Sequence, residues 1–340
     1  MLSAGYSSML SGLTLLLLLV PLLNGNLVDP GNLSKLLSEV LMLSKRQRSL
    51  IDEAIALEFE DAKGSGATGY LPHFLAQATL PHKDPKCTYF ERGTSKLTLS
   101  IMAHPKYGMP YGMMPRLLLA WMCTEACRTH SPELNLGRNQ NEFLKKLQLP
   151  SDGKYIKTLH AQTLALIRAQ LSIEVSSAGA LAFESIQIAK NGFVFWNPRQ
   201  PDEECLWNST LTLGADFYDA VTKAPVPLKL EALQALRKSP MAMDIYTWLV
   251  YRMFTLNVAA RSGRHKEAKI PWVGLKCQFG GGYEDTPQGV RSFKANFLKQ
   301  LRGVLLYYPD ARTFIDESPD YLVLKAGARP VVQQRAVGCR

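Results

Sequence analysis

The stretch TPQGVRSFKANFLKQLRGV, Thr286 to Val304, decides how the C-terminal part of the chain is read. Wound at about 3.6 residues per turn, Val290, Phe293, Phe297, Leu301 and Val304 gather on one stripe, which is a core face. Thr286 is placed as an N-cap, with Pro287 preset for the first turn. Ser292, Ala295 and Lys299 fall opposite the stripe, flanked by Arg291, Asn296 and Arg302. The segment contains no carboxylate. One side therefore packs. The other offers short polar and long basic groups, suited either to plain solvation or to phosphates and base edges.

Around this helix the charge is uneven. The 340 residues carry 39 Lys and Arg against 29 Asp and Glu, a net of +10. From Arg261 onward there are 14 against 7, so about a quarter of the chain holds +7 of the excess. A basic balance of this kind points to a polyanionic partner. A hydrophobic content of 46% fits a globular chain long enough for two domains.

The six cysteines form no CxxC and have no histidine at zinc-site spacing, so no metal is expected. Cys123 and Cys127 lie one turn apart in an apolar segment, where buried thiols are expected, in a reduced, cytoplasmic protein. The run GLTLLLLLVPLLNG, Gly12 to Gly25, is too short to span a bilayer, and no basic residue precedes it. Residues 1–41 are read as a hydrophobic leader or an over-extended start. Met42 then opens MLSKRQRSLIDEAIALEFEDAK, whose helix from Ser44 to about Lys63 leads into a Gly-rich break and a linker to residue 86.

The remaining rhythm predicts an α+β chain, mostly helical with β-hairpin wings. Thr88–Ala103 alternates as strand, turn, strand, and Met114–His130 is an apolar helix. A short strand, ELNL, precedes a short helix at Asn139–Leu149 and a longer one at Lys154–Leu171. Alternating strands follow, with Asn191-Gly192 as a tight hairpin turn. This is the element order of a winged helix. The order recurs: STLTLG echoes SKLTLS, Met243–Leu256 parallels the helix around Trp121, KIPWVGLKCQFGG parallels the short strand and helix, and ARTFIDESPDYLVLKAG supplies a second hairpin. Two tandem winged-helix domains are expected, at 87–200 and 201–328, followed by a basic tail at 329–340.

Catalytic patterns are missing. There is no Walker loop, HExxH, GxSxG or paired metal carboxylate, and the Gly-rich FGGGYED lacks the Lys-Ser/Thr pair that phosphate cradling needs. Tyr307-Tyr308 lacks the histidine cluster of a DNA-nicking tyrosine. No enzyme activity, cofactor or small-molecule substrate is expected.

Double-stranded DNA is the expected partner. A recognition helix puts its N-terminal half against base edges, which places Gln288, Arg291, Ser292, Ala295 and Asn296 there. Arg pairs with guanine, Asn or Gln with adenine, and Ala with the thymine methyl. Lys299 and Arg302 fall to phosphates. Arg312 and Lys325 bracket the hairpin as a clamp, and Lys294 sits near the seam with the core. In the first unit Lys154, Lys157, Thr158, Ala161, Gln162 and Arg168 share one side, for DNA or for self-association.

Three long blocks carry a family likeness: YFERGTSKLTLSIMAHPKYGMPYGMMPRLLLAWMCTEACRT, FWNPRQPDEECLWNSTLTLG and MDIYTWLVYRMF. They resemble the plasmid-encoded RepA-type replication initiators, over about Leu43 to Lys325. The resemblance implies a cytoplasmic initiator with two winged-helix domains that binds direct repeats (iterons) at a plasmid origin and helps open adjacent DNA. It further implies helicase loading with the host initiator, a monomer–dimer equilibrium and repression of its own gene by the dimer. A winged-helix transcriptional regulator without an initiator role is the alternative.

Overall fold

The computed structural model describes residues 68–93, 97–177, 180–204, 208–223, 225–263 and 265–332. The expected leader, the Ser44–Lys63 helix and the tail from residue 333 lie outside them.

In chain order the elements are β1 (Thr68–Pro72), α1 (His73–Gln77), β2 (Tyr89–Gly93), β3 (Leu97–Met102), α2 (Met113–Thr129), β4 (Glu133–Gly137), α3 (Gln140–Lys146) and α4 (Gly153–Arg168). Then come β5 (Gln170–Ser177), β6 (Ala180–Gln187), β7 (Ala189–Phe193), β8 (Ser209–Leu213), α5 (Ala215–Lys223), β9 (Pro225–Lys229), α6 (Leu230–Ala235) and α7 (Pro240–Arg261). Last are β10 (Glu267–Pro271), α8 (Trp272–Phe279), α9 (Pro287–Val304), a 3-10 turn at Pro309–Phe314, β11 (Ile315–Glu317) and β12 (Tyr321–Lys325). The chain is a mixed helix-and-strand protein.

The C-terminal half follows the predicted order closely. α7 starts where Ser239 caps Ala242 N and Pro240 occupies the first turn. It packs against α9, and α8 closes the third side. Phe297 sits at the centre of this three-helix core, with Trp248, Trp272, Phe279 and Phe293 around it. β10 pairs antiparallel with β12, which pairs with β11, giving the strand order β10-β12-β11.

The N-terminal half departs from the expected copy. Its core stacks Trp121 edge-on to Phe143, which lies against Trp196. The predicted turn at Asn191-Gly192 is instead inside β7, where Asn191 faces Thr212 and Gly192 faces Leu211. Asn-Gly favours a tight turn, but a register shift between Ala189 and Asn191 lets strand pairing with β8 absorb it. The hairpin is β5–β6, with Ser177 opposite Ala180. Nor does β4 pair with this hairpin, as β10 does with β12. β4 lies beside β8 in the order β4-β8-β7, while β5 and β6 complete β2-β3-β5-β6.

These pairings cross residue 200, where the sequence reading divided the chain. β8 completes the β4 sheet, and β9 pairs with β1 across a long stretch of sequence. β8 and β9 thus pair with strands of the first half rather than opening the second unit, because β1 and β4 need them to satisfy their backbone groups.

Cys123 and Cys127 are buried on α2, as expected. No helix among the described residues is long and apolar enough to cross a membrane.

Candidate nucleic-acid interface

Helix α9 begins as its sequence requires. Thr286 Oγ1 accepts from Gly289 N at 3.0 Å, and Pro287 takes the first helical position. Gly289 is needed here, since a Cβ would collide with the Glu284 carbonyl oxygen. Phe293, Phe297, Leu301 and Val304 are buried, so the predicted core face is the observed one.

On the other side Gln288, Arg291, Ser292, Ala295, Lys299 and Arg302 are all exposed. Their spacing of three, four and seven keeps them on one side of the helix. Arg291 donates from Nε and Nη2 to Gln288 Oε1, at 3.1 and 2.9 Å, which preorganises its guanidinium without neutralising it. Among the described residues, Arg291, Lys299 and Arg302 have no carboxylate within ion-pair distance. The stripe is continuous and purely cationic.

Asn296 does not belong to it. Its side-chain amide donates to Tyr283 Oη at 2.8 Å and its oxygen accepts from Gln300, so it turns toward the α8–α9 loop. Helical spacing placed Asn296 at the edge of the polar face, but the position of Tyr283 decides which way it points. Lys294 is likewise engaged, donating to Ser318 O at 2.9 Å, pairing with Glu317 at 3.2 Å and lying over the Trp272 ring. It ties α9 to the hairpin.

The hairpin itself differs from the expected clamp. Lys325 Nζ lies 2.5 Å from Asp316, and that carboxylate raises the Lys325 pKa. Asp320 is exposed near the tip, beside the Glu317 already paired with Lys294, so the hairpin end carries no excess positive charge for phosphate contact. Arg312 is exposed on the 3-10 turn.

In the first unit, Asp152 caps α4 by accepting from Lys154 N and Tyr155 N. Lys154, Lys157, Ala161 and Arg168 are exposed, and Thr158 is half-buried. Gln162 is only 6% exposed, and its Oε1 accepts from Tyr111 N at 2.8 Å. It holds the 105–112 connection against α4, so it leaves the surface list.

Sequence reasoning missed a buried ionic joint. Arg116 on α2 grips Asp244 on α7 with two bonds of 2.7 Å, and His82 Nε2 lies 2.7 Å from the same carboxylate. Burial is the largest influence and acts to raise the Asp244 pKa, but the Arg116 charge and the hydrogen bonds from His82 and Arg116 together outweigh it and hold the carboxyl at about 2. Arg116 and Asp244 each stand in an apolar helix, more than a hundred positions apart, so no local pattern reveals the pair.

Residues 109–272 match the family model for plasmid-encoded RepA protein. That stretch is similar to RepA. The RepA match runs from Met109, before α2, to Trp272 at the start of α8, so α9 and its hairpin lie beyond it. Two crystal structures of domains 2 and 3 of RctB are similar, both at 12% identity. One has a TM-score of 0.47 and covers 75% of this chain and 98% of its own. The other has a TM-score of 0.46, with 77% and 99% covered. No curated protein matches this chain.

Proposed function

We propose that this chain is a RepA-type plasmid replication initiator that binds direct repeats at its origin and promotes local opening of the duplex. The observation that carries the DNA-binding part is the α9 stripe, in which Arg291, Lys299 and Arg302 stand exposed and unneutralised. The strand order β10-β12-β11 around α8 and α9 supports a winged helix, with α9 as the reading helix. Gln288, Arg291, Ser292 and Ala295 then face base edges, and Lys299, Arg302 and Arg312 face phosphates. The α4 face of Lys154, Lys157 and Arg168 adds a second contact. No covalent step is involved; binding energy deforms and opens the DNA. The dimer represses the protein's own gene, and the origin complex recruits the host initiator and helicase in the cytoplasm.

The first test is titration of the full chain with the DNA flanking its own gene, against scrambled competitor, over a range of salt. A ladder of shifts at evenly spaced repeats is the expected result; affinity equal to the scrambled DNA at every salt concentration would reject the reading. Replication of an origin plasmid separates an initiator from a regulator that uses the same residues.

Two substitutions resolve the roles within the stripe. Arg291→Ala is expected to cost about 1–3 kcal/mol and to relax specificity at one base position. Lys299→Ala should weaken all sequences alike and lower the salt slope by about one. Swapped behaviour of the two variants in a base-substitution series would show that α9 sits in the groove at another angle.

A further inference from the structure

The two basic helices are not independent. α4 packs on α2, and α9 packs on α7, so each exposed face is carried by one long apolar helix. α2 and α7 touch each other, and at that contact lies the Arg116–Asp244 pair. Its side chains are 7% and 9% exposed. The guanidinium meets the carboxylate in fork geometry, Nε to Oδ1 and Nη2 to Oδ2. The other Arg116 donor bonds go to backbone carbonyls: Nη2 to Leu80, and Nη1 to Pro81 and Gly112. His82 Nε2 reaches Oδ2 of Asp244 as well, the oxygen that accepts from Arg116 Nη2.

Such a joint differs from the apolar packing around it. Leucine and methionine surfaces slide and repack at small cost, whereas a bidentate ion pair out of water has one good geometry and is costly to break. Rotation or sliding of α2 against α7 would leave an uncompensated buried charge on each helix.

We infer that the Arg116–Asp244 pair is a register device, fixing the offset and rotation between the α4 and α9 faces and so the spacing of the two DNA segments the protein prefers. Arg116 and Asp244 are positioning residues, since neither reaches the surface. The inference rests on the DNA-binding reading above.

Footprinting of the full chain on its repeat first locates the protected segments. DNAs are then made in which the distance between them is changed by up to about 5 base pairs, half a turn of duplex. The wild type is expected to lose about tenfold in affinity at the half-turn offset. Asp244→Asn, which keeps the shape and removes the charge, is expected to flatten that dependence while binding to the α9 segment alone is unchanged. The double variant Arg116→Met with Asp244→Leu removes both charges and retains apolar volume, and it should flatten the dependence in the same way.

A folded variant that keeps the wild-type spacing profile would overturn the inference, as would a wild type indifferent to spacing or protecting one segment only. Loss of the fold in both variants would make the pair a folding determinant and equally overturn its role in register. Wild-type protein with no sequence-specific binding at all would be a different failure, that of the DNA-binding reading.

Discussion

Phe297→Ala is expected to destabilise the protein by about 3–5 kcal/mol, within the range for removing a fully buried phenyl ring. Phe297 is 0% exposed, and its ring centroid lies 5.6 Å from Phe279 and Phe293, 5.9 Å from Trp272 and 6.2 Å from Trp248. Aromatic pairs of this kind contribute beyond the area they bury. These rings come from α7, α8 and α9, and the surrounding helices can relax only partly into the space. Urea unfolding followed by tryptophan fluorescence checks the value, with Phe297→Leu as a milder companion. A loss below about 1 kcal/mol would mean that the core repacks freely, against the close packing typical of interiors. Because Phe297 sits beneath the α9 stripe, the alanine variant should also bind DNA more weakly at temperatures where the helix is still formed.

The second large effect is acid sensitivity at His73. This residue on α1 is 5% exposed, and neither ring nitrogen has a hydrogen-bond partner. Burial pushes its pKa down from 6.5 to about 4. The folded protein keeps the ring neutral, while the unfolded chain takes up a proton below pH 6.5. The stabilisation from a neutral His73 is therefore complete above pH 6.5 and is lost as the pH falls toward 4, by roughly 3 kcal/mol in all. Asp244 acts in a different window: with its pKa lowered to about 2, its contribution persists until the pH drops below the normal carboxylate value. Burial also lowers the pKa of His82 and His160, so a residual slope in the same window belongs to them. Urea midpoints at pH 7 and pH 4.5 should differ much less in His73→Leu than in the wild type. An equal loss in both proteins would sink this assignment.

The sequence was most informative where one helix face decides everything. Thr286, Pro287 and the five-residue apolar stripe announced α9 and its exposed side, because capping and 3.6-residue periodicity are local rules. β2 and β3 were legible for the same reason. Illegible features depend on partners far along the chain. Asn296 and Gln162 looked like surface groups until Tyr283 and the Tyr111 amide came beside them. Asn191-Gly192 carries a strong turn signal, yet β8, arriving later, draws it into a strand. The division at residue 200 failed because alternation predicts that a strand exists and says nothing about which strand it joins. The hairpin carboxylates were visible in the letters, but the pairing of Lys325 with Asp316 required the cross-strand geometry.

The β1–β9 pairing has a consequence for how the molecule comes into being. Thr68 meets Lys229, a partner about 160 residues downstream. At roughly 5–20 residues per second, a ribosome delivers β9 some 8–30 seconds after β1 has emerged. β4 likewise waits for β8. Through that interval the nascent first half exposes bare strand edges, the surfaces most apt to pair with other chains. The time order of synthesis, more than final stability, sets when this half is safe from aggregation, and chaperone demand should peak before residue 229 clears the exit tunnel. A polypeptide halted at residue 200 would remain in that vulnerable state indefinitely.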